Sequence, residues 1–244
     1  MLQTIRKRIK RWLERSGFNI VTQFDLSMSA LDIGVETVTR NQVPGDYLEF
    51  GVFKGASFAR VFGQFKKADD TKERTFYAFD SFQGLPYSNE AAKPAQYKTG
   101  AYSASEEVFL ENLARASVDR DAVRTVAGFY HQTLTNKTKR DLGLKQAALV
   151  YIDCDLKESA EFVFAFLTDL IDTGSVIVID DWFRHGGVPS RGIQKACFDW
   201  LRENPDIRLY TLHQWRRIAF IVDREPNLSL ELERVVRAPS VIFD

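Results

Sequence analysis

Five short apolar runs punctuate the chain: YLEFG (47–51), RTFYAFD (74–80), AVRTVAG (122–128), AALVYID (147–153) and GSVIVID (174–180). Helix-like stretches separate most of them. A parallel neighbour is reached only through a crossover, so strands that alternate with helices specify a mostly parallel sheet covered on both faces. AALVYID is nearly continuous in apolar residues, as expected of a strand buried on both sides. ASFARVFGQFKKA, SEEVFLENLARAS, KESAEFVFAFLTDLID and residues 190–203 read as the covering helices, and Ser105 supplies an N-cap to the second. The last two runs, IRLYTLHQ and RRIAFIVDR, lie too close together for a crossover and should pair antiparallel. The expected fold is α/β, a doubly wound sheet with one antiparallel strand near its C-terminal end.

Ahead of the first strand, residues 27–41 read as a helix ended by the turn-rich NQVPGD. The opening MLQTIRKRIKRWLERSGF has six basic residues among its first fifteen and apolar residues at helical spacing. It has no apolar h-region and does not read as a secretory signal. Its stripe suits packing on the domain or across a homo-oligomer, with a membrane-surface helix as the other reading. The expected division is an N-terminal helical extension (1–42), a main domain (43–223) and a tail (224–244). Lys+Arg and Asp+Glu are 33 each, and a zero net charge gives nucleic-acid binding no support. No apolar run reaches the length of a membrane span. Cys154 and Cys197 form no C-x-x-C pair, which argues against a disulfide framework or a zinc site and suits a reducing cytoplasm.

Acids stand at four of the five strand ends: Glu49, Asp80, Asp153, and the pair Asp180 and Asp181. Ligands of a doubly wound sheet bind beyond those ends. Gly51 and Gly55 suit a tight turn, but Phe53 and Ala56 stand where a dinucleotide fold has its second and third glycines. An acid beside the turn would repel a phosphate and attract an ammonium, and Asp80 can accept both hydroxyls of a ribose. S-adenosylmethionine, with a ribose, a cationic amine and no phosphate, fits such a site.

These segments, E-x-G-x-x-x-G followed by FDSFQGLP, AGFYHQTL, VYIDCDLKES and GSVIVIDDW, together resemble the class I S-adenosylmethionine-dependent methyltransferases, and more narrowly the macrocin O-methyltransferase family. The likeness runs over roughly residues 45–200. It implies a Rossmann-like methyltransferase sheet and an O-methyltransferase acting on a hydroxyl of a small molecule, a sugar or glycosylated natural product. By the same resemblance Glu49, Gly51 and Gly55 would hold the methionine end of the cofactor. Asp80, Ser81 and Phe82 would take the ribose, and Gly128 and Phe129 the adenine. Asp153, Asp180 and Asp181 match the family's magnesium-binding acids, while Cys154 replaces the usual glycine of IDxD.

A divalent cation on an aliphatic hydroxyl lowers its pKa, and three carboxylates suit a hard ion such as Mg2+. Asp153 is the expected general base as well as a ligand, and His185 the alternative base. Asp155 reads as a helix cap, with a partner of the metal-binding acids as the other reading. The polar stretch from Ser81 to Ala104 reads as a lid or substrate loop. Two other functions fit less of the sequence. DCD taken alone suits a metal-dependent glycosyltransferase but leaves Glu49 and Asp80 idle. A non-catalytic partner protein of the same fold has no use for clustered carboxylates.

Overall fold

A computed structural model describes residues 23–224 apart from 69, 72–73 and 90–93, with the side chains of 23–29 left out. The basic opening helix and most of the tail lie outside the described residues. The elements in chain order are α1 (Gln23–Arg40), β1 (Asp46–Phe50), α2 (Ala56–Lys67), β2 (Phe76–Asp80), α3 (Glu106–Arg115), β3 (Val123–Ala127), α4 (Tyr130–Thr133), α5 (Asn136–Leu142), β4 (Ala147–Ile152), α6 (Lys157–Leu167), β5 (Val176–Ile179), α7 (Gly192–Glu203), β6 (Arg208–Gln214) and β7 (Ile218–Asp223).

One seven-stranded sheet runs in the order β3-β2-β1-β4-β5-β7-β6. Strands β1 to β5 are parallel, and β7 is antiparallel to both its neighbours, β5 and β6. Strand order therefore reverses between β1 and β4, where the chains leaving the two strand ends diverge and open a crevice.

Period-two alternation builds two cores. Leu48, Phe50, Val150 and Ile152 face α6 and α7, while Tyr47, Leu149 and Tyr151 face α1, α2 and α3. Helix α2 buries Phe58, Val61, Phe62 and Phe65, spaced i, i+3, i+4, i+7. Helix α1 lies directly on the sheet through the buried Leu31, Val35 and Val38. Gly34 makes that approach close, since a Cβ there would stand 2.9 Å from Leu149 Cδ1. Both cysteines are buried and free. No described helix is long and apolar enough to cross a membrane.

Candidate active site

A cavity of about 310 Å³ opens at the switch point, a volume in the range of small-molecule sites. Its walls come from the ends of β1 to β5 and from the segment after β2. Of the residues expected at a site, Gly51, Asp80, Ser81, Gly128, Phe129, Asp153, Asp180 and Asp181 line it. Glu49, Gly55, Phe82 and His185 do not.

Asp80 organises the β1 side. Its Oδ2 accepts from the N–H groups of Val52 (2.8 Å) and Phe53 (3.1 Å), and its Oδ1 from that of Phe82 (2.8 Å). The carboxylate thus fixes the glycine turn and still reaches the cavity. Gly51 sits at φ +90°, and a Cβ there would fall 1.9 Å from the carbonyl oxygen of Asp153. Glycine is required here chiefly so that the ends of β1 and β4 can touch. Gly55, at φ +82°, begins α2, and a Cβ would press on the Phe109 ring at 2.9 Å. It makes room for α3 rather than for a ligand.

Glu49 lies on the Tyr47 face of β1 and is fully buried between the sheet and α2. Tyr47 Oη donates to its Oε2 at 2.5 Å, and Ser57 Oγ donates to Oε1. Burial pushes this carboxyl up to about 7 against the pull of those two hydrogen bonds. It clamps the first turn of α2 instead of facing the cavity. Phe82 packs against Phe109 with ring centres 5.8 Å apart. His185 is 4% exposed, with Nε2 3.0 Å from the carbonyl oxygen of Asp155, and lies beneath the cavity wall.

The β4–β5 side is acidic. Carboxylate oxygens of Asp153, Asp155 and Asp181 lie within 4.8 Å of one another. Asp180 also lines the cavity, but its Oδ2 is paired with Arg217 at 2.7 Å and accepts from Tyr151 Oη at 3.1 Å. Tyr151 Oη also reaches Asp153 Oδ2 at 3.0 Å. Burial, then the charges of Asp180, Asp155 and Asp181, raises the Asp153 carboxyl well above the usual range. Burial, then the neighbouring Asp181, pushes Asp155 up to about 9. Carboxylates crowded in this way, with all-oxygen donors, fit a hard divalent cation that would relieve their repulsion. Asp155 therefore joins the cluster, as in the alternative reading of a partner to the acids rather than the favoured helix cap; the D-x-D spacing was the signal for it. Arg184, which lines the cavity and bonds Asp181, and Arg217 went unread. Nothing in the spacing around Arg217 connects β7 with the end of β5.

The described part of the Ser81–Ala104 stretch forms the remaining wall through Gly84, Leu85, Pro86, Gln96, Tyr97 and Tyr102. Leu85 N–H donates to Ala101 O (2.9 Å) and Gly100 N–H to Leu85 O (2.8 Å), which closes its base. Among the described residues, eight non-glycine residues have positive φ, and four of them, Phe53, Tyr102, Asp155 and Asp181, line this cavity. Strained backbone gathers at functional sites.

The family model for macrocin-O-methyltransferase (TylF) matches residues 15–196. Demethyldecarbamoylnovobiocin O-methyltransferase of Streptomyces niveus is 28% identical over 154 residues, covering 61% of this chain and 56% of that protein. The 8-demethyl-8-(2,3-dimethoxy-alpha-L-rhamnosyl)-tetracenomycin-C 4'-O-methyltransferase of Streptomyces olivaceus is 29% identical over 154 residues, covering 61% and 57%. The matched region thus spans little more than half the length of these curated relatives. Among solved structures, the calicheamicin methyltransferase CalS11 superposes with a TM-score of 0.69 over 88% of this chain and 90% of its own. At 18% identity that likeness speaks to the fold.

Proposed function

The chain belongs to the macrocin O-methyltransferase family, and from that premise we propose that it moves a methyl group from S-adenosylmethionine to a hydroxyl of a small molecule, with a divalent cation assisting. The carrying observation is that one cavity is lined both by Asp80, at the end of β2, and by the converging carboxylates of Asp153, Asp155 and Asp181. The acceptor class, a sugar or glycosylated natural product, is carried over from the relative named for a rhamnosyl-tetracenomycin.

Bound S-adenosylmethionine supplies an electrophilic methyl on a sulfonium. Asp80 and Ser81 would hold its ribose, Gly128 and Phe129 its adenine, and the Gly51 turn the remainder. A bound divalent cation would lower the pKa of the acceptor hydroxyl and neutralise the acidic wall. Asp153, Asp155 and Asp181, whose carboxylate oxygens converge, would hold it, with Asp180 beside them tied to Arg217. We assign the proton acceptor to Asp155 rather than Asp153, since a cation on the cluster would draw off the proton that burial and Asp181 make Asp155 hold and leave it an ionised carboxylate. His185, buried and not among the residues lining the cavity, is not given that task. The remaining requirement is alignment of two reacting atoms, which a walled cavity with fixed side chains supplies.

The test incubates the full chain with S-adenosylmethionine, Mg2+ and a panel of glycosylated acceptors. Formation of S-adenosylhomocysteine together with an acceptor heavier by one methylene is expected. Thermal stabilisation by a UDP-sugar with Mn2+, and none by S-adenosylhomocysteine, would favour sugar transfer instead.

A further inference from the structure

Tyr97 is 3% exposed although it belongs to neither a helix nor a strand. Its hydroxyl donates to Oδ2 of Asp181 at 2.5 Å, and Arg184 Nε donates to Oδ1 of the same carboxylate at 3.2 Å. Asp181, two residues past the end of β5, has a left-handed backbone, φ 51°. The Tyr97 ring lies 5.7 Å from the His185 ring and 6.3 Å from that of Tyr102. His185 in turn meets the Asp155 carbonyl at 3.0 Å. A buried tyrosine hydroxyl needs an acceptor, and a backbone carbonyl would serve stability equally well. Here the acceptor is a carboxylate of the acidic wall, reached across 84 residues of sequence.

We infer that Tyr97 is a positioning residue for Asp181. Its hydroxyl and the Arg184 guanidinium grip the carboxylate from two sides. The same bond seats residues 94–102 against the cavity, so the acceptor-side wall and the acidic wall are set together. The inference rests on the proposed role of Asp181 in holding the cation. Residues that orient a metal ligand are commonly worth 10- to 100-fold in affinity.

Tyr97→Phe keeps the ring and its packing on His185 and removes only the donor. In the full chain, calorimetric Mn2+ affinity should fall by about 10-fold in this variant, while S-adenosylhomocysteine affinity holds, since Asp80 and the Gly51 turn are untouched. Unchanged or tighter Mn2+ binding would overturn the positioning role. Hydrogen exchange gives a second reading that needs neither metal nor turnover. The amides of Tyr97, Lys98 and Ala101, bonded to Pro94 O, Gln96 O and Lys98 O, should exchange about 10-fold faster in Tyr97→Phe and in Asp181→Ala. The double variant should exchange no faster than either single one, because both remove the same bond. Additive effects, or none, would show that the two walls are independent. If wild type binds no Mn2+, the cation site itself fails, and the exchange cycle still decides the coupling.

Discussion

Glu49 is wholly buried, and its carboxyl titrates at about 7 because burial outweighs the hydrogen bonds from Ser57 and Tyr47. The unfolded value is near 4.5, so the folded chain holds this proton more tightly. The stability that Glu49 contributes is therefore fully present below about pH 4.5, declines as pH rises towards 7, and is gone above it. The span corresponds to on the order of 3 kcal/mol. Glu49→Gln removes the titration, so its stability relative to wild type should improve between about pH 5 and pH 8 by up to that amount. Urea denaturation at both pH values measures this, and an unchanged difference would show that Glu49 stays charged. Asp155→Asn tests the acid that joined the site. Initial rates should fall by about 100-fold or more, the scale of a lost general base, with S-adenosylhomocysteine affinity kept. Wild-type turnover would return the proton to Asp153. Why one acid misled and the other was underrated is a matter of direction. Glu49 and Tyr47 are two apart and share a face of β1, and that face turns towards Ser57 of α2. Asp155 reaches the cluster through a left-handed backbone, φ 60°, that no propensity announces.

At the scale of elements, the strands were legible because each is a short apolar run with an abrupt end. AALVYI is buried at every position and VIVI likewise. The antiparallel pair followed from the brevity of its connection. Helices α4 and α5 were not read, since NKTKRDL has one apolar residue and offers no stripe. Its signals were local: the Thr135 hydroxyl accepts from Thr138 N–H at 3.1 Å, and Gly143 ends the helix at φ 67°. The Gly51 turn belongs to this scale as well. A side chain at Gly51 must displace the Asp153 carbonyl and adopt φ +90°. Gly51→Ala should therefore lose about 3 kcal/mol or more, as strain and a backbone clash combine. Chemical denaturation checks this, and a loss within about 0.5 kcal/mol, the level of an ordinary surface change, would mean that the β1–β4 junction is slack.

For the molecule as a whole, the crevice at the β1/β4 switch point is where chain topology puts a ligand, and the acidic wall is where a cation would act. Methyl transfer should cease in excess EDTA and return with Mg2+; full activity in EDTA would remove the cation while leaving the fold and the cofactor seat standing. The seat itself is tested most directly by calorimetric titration of S-adenosylhomocysteine into wild type and Asp80→Ala, with NAD as control. Saturable binding to wild type, none of NAD, and at least about 10-fold weaker binding in the variant are expected, as loss of hydrogen bonds to a charged group implies. Unchanged affinity in Asp80→Ala, or no binding of S-adenosylhomocysteine by wild type, would contradict the assignment of this cavity to S-adenosylmethionine.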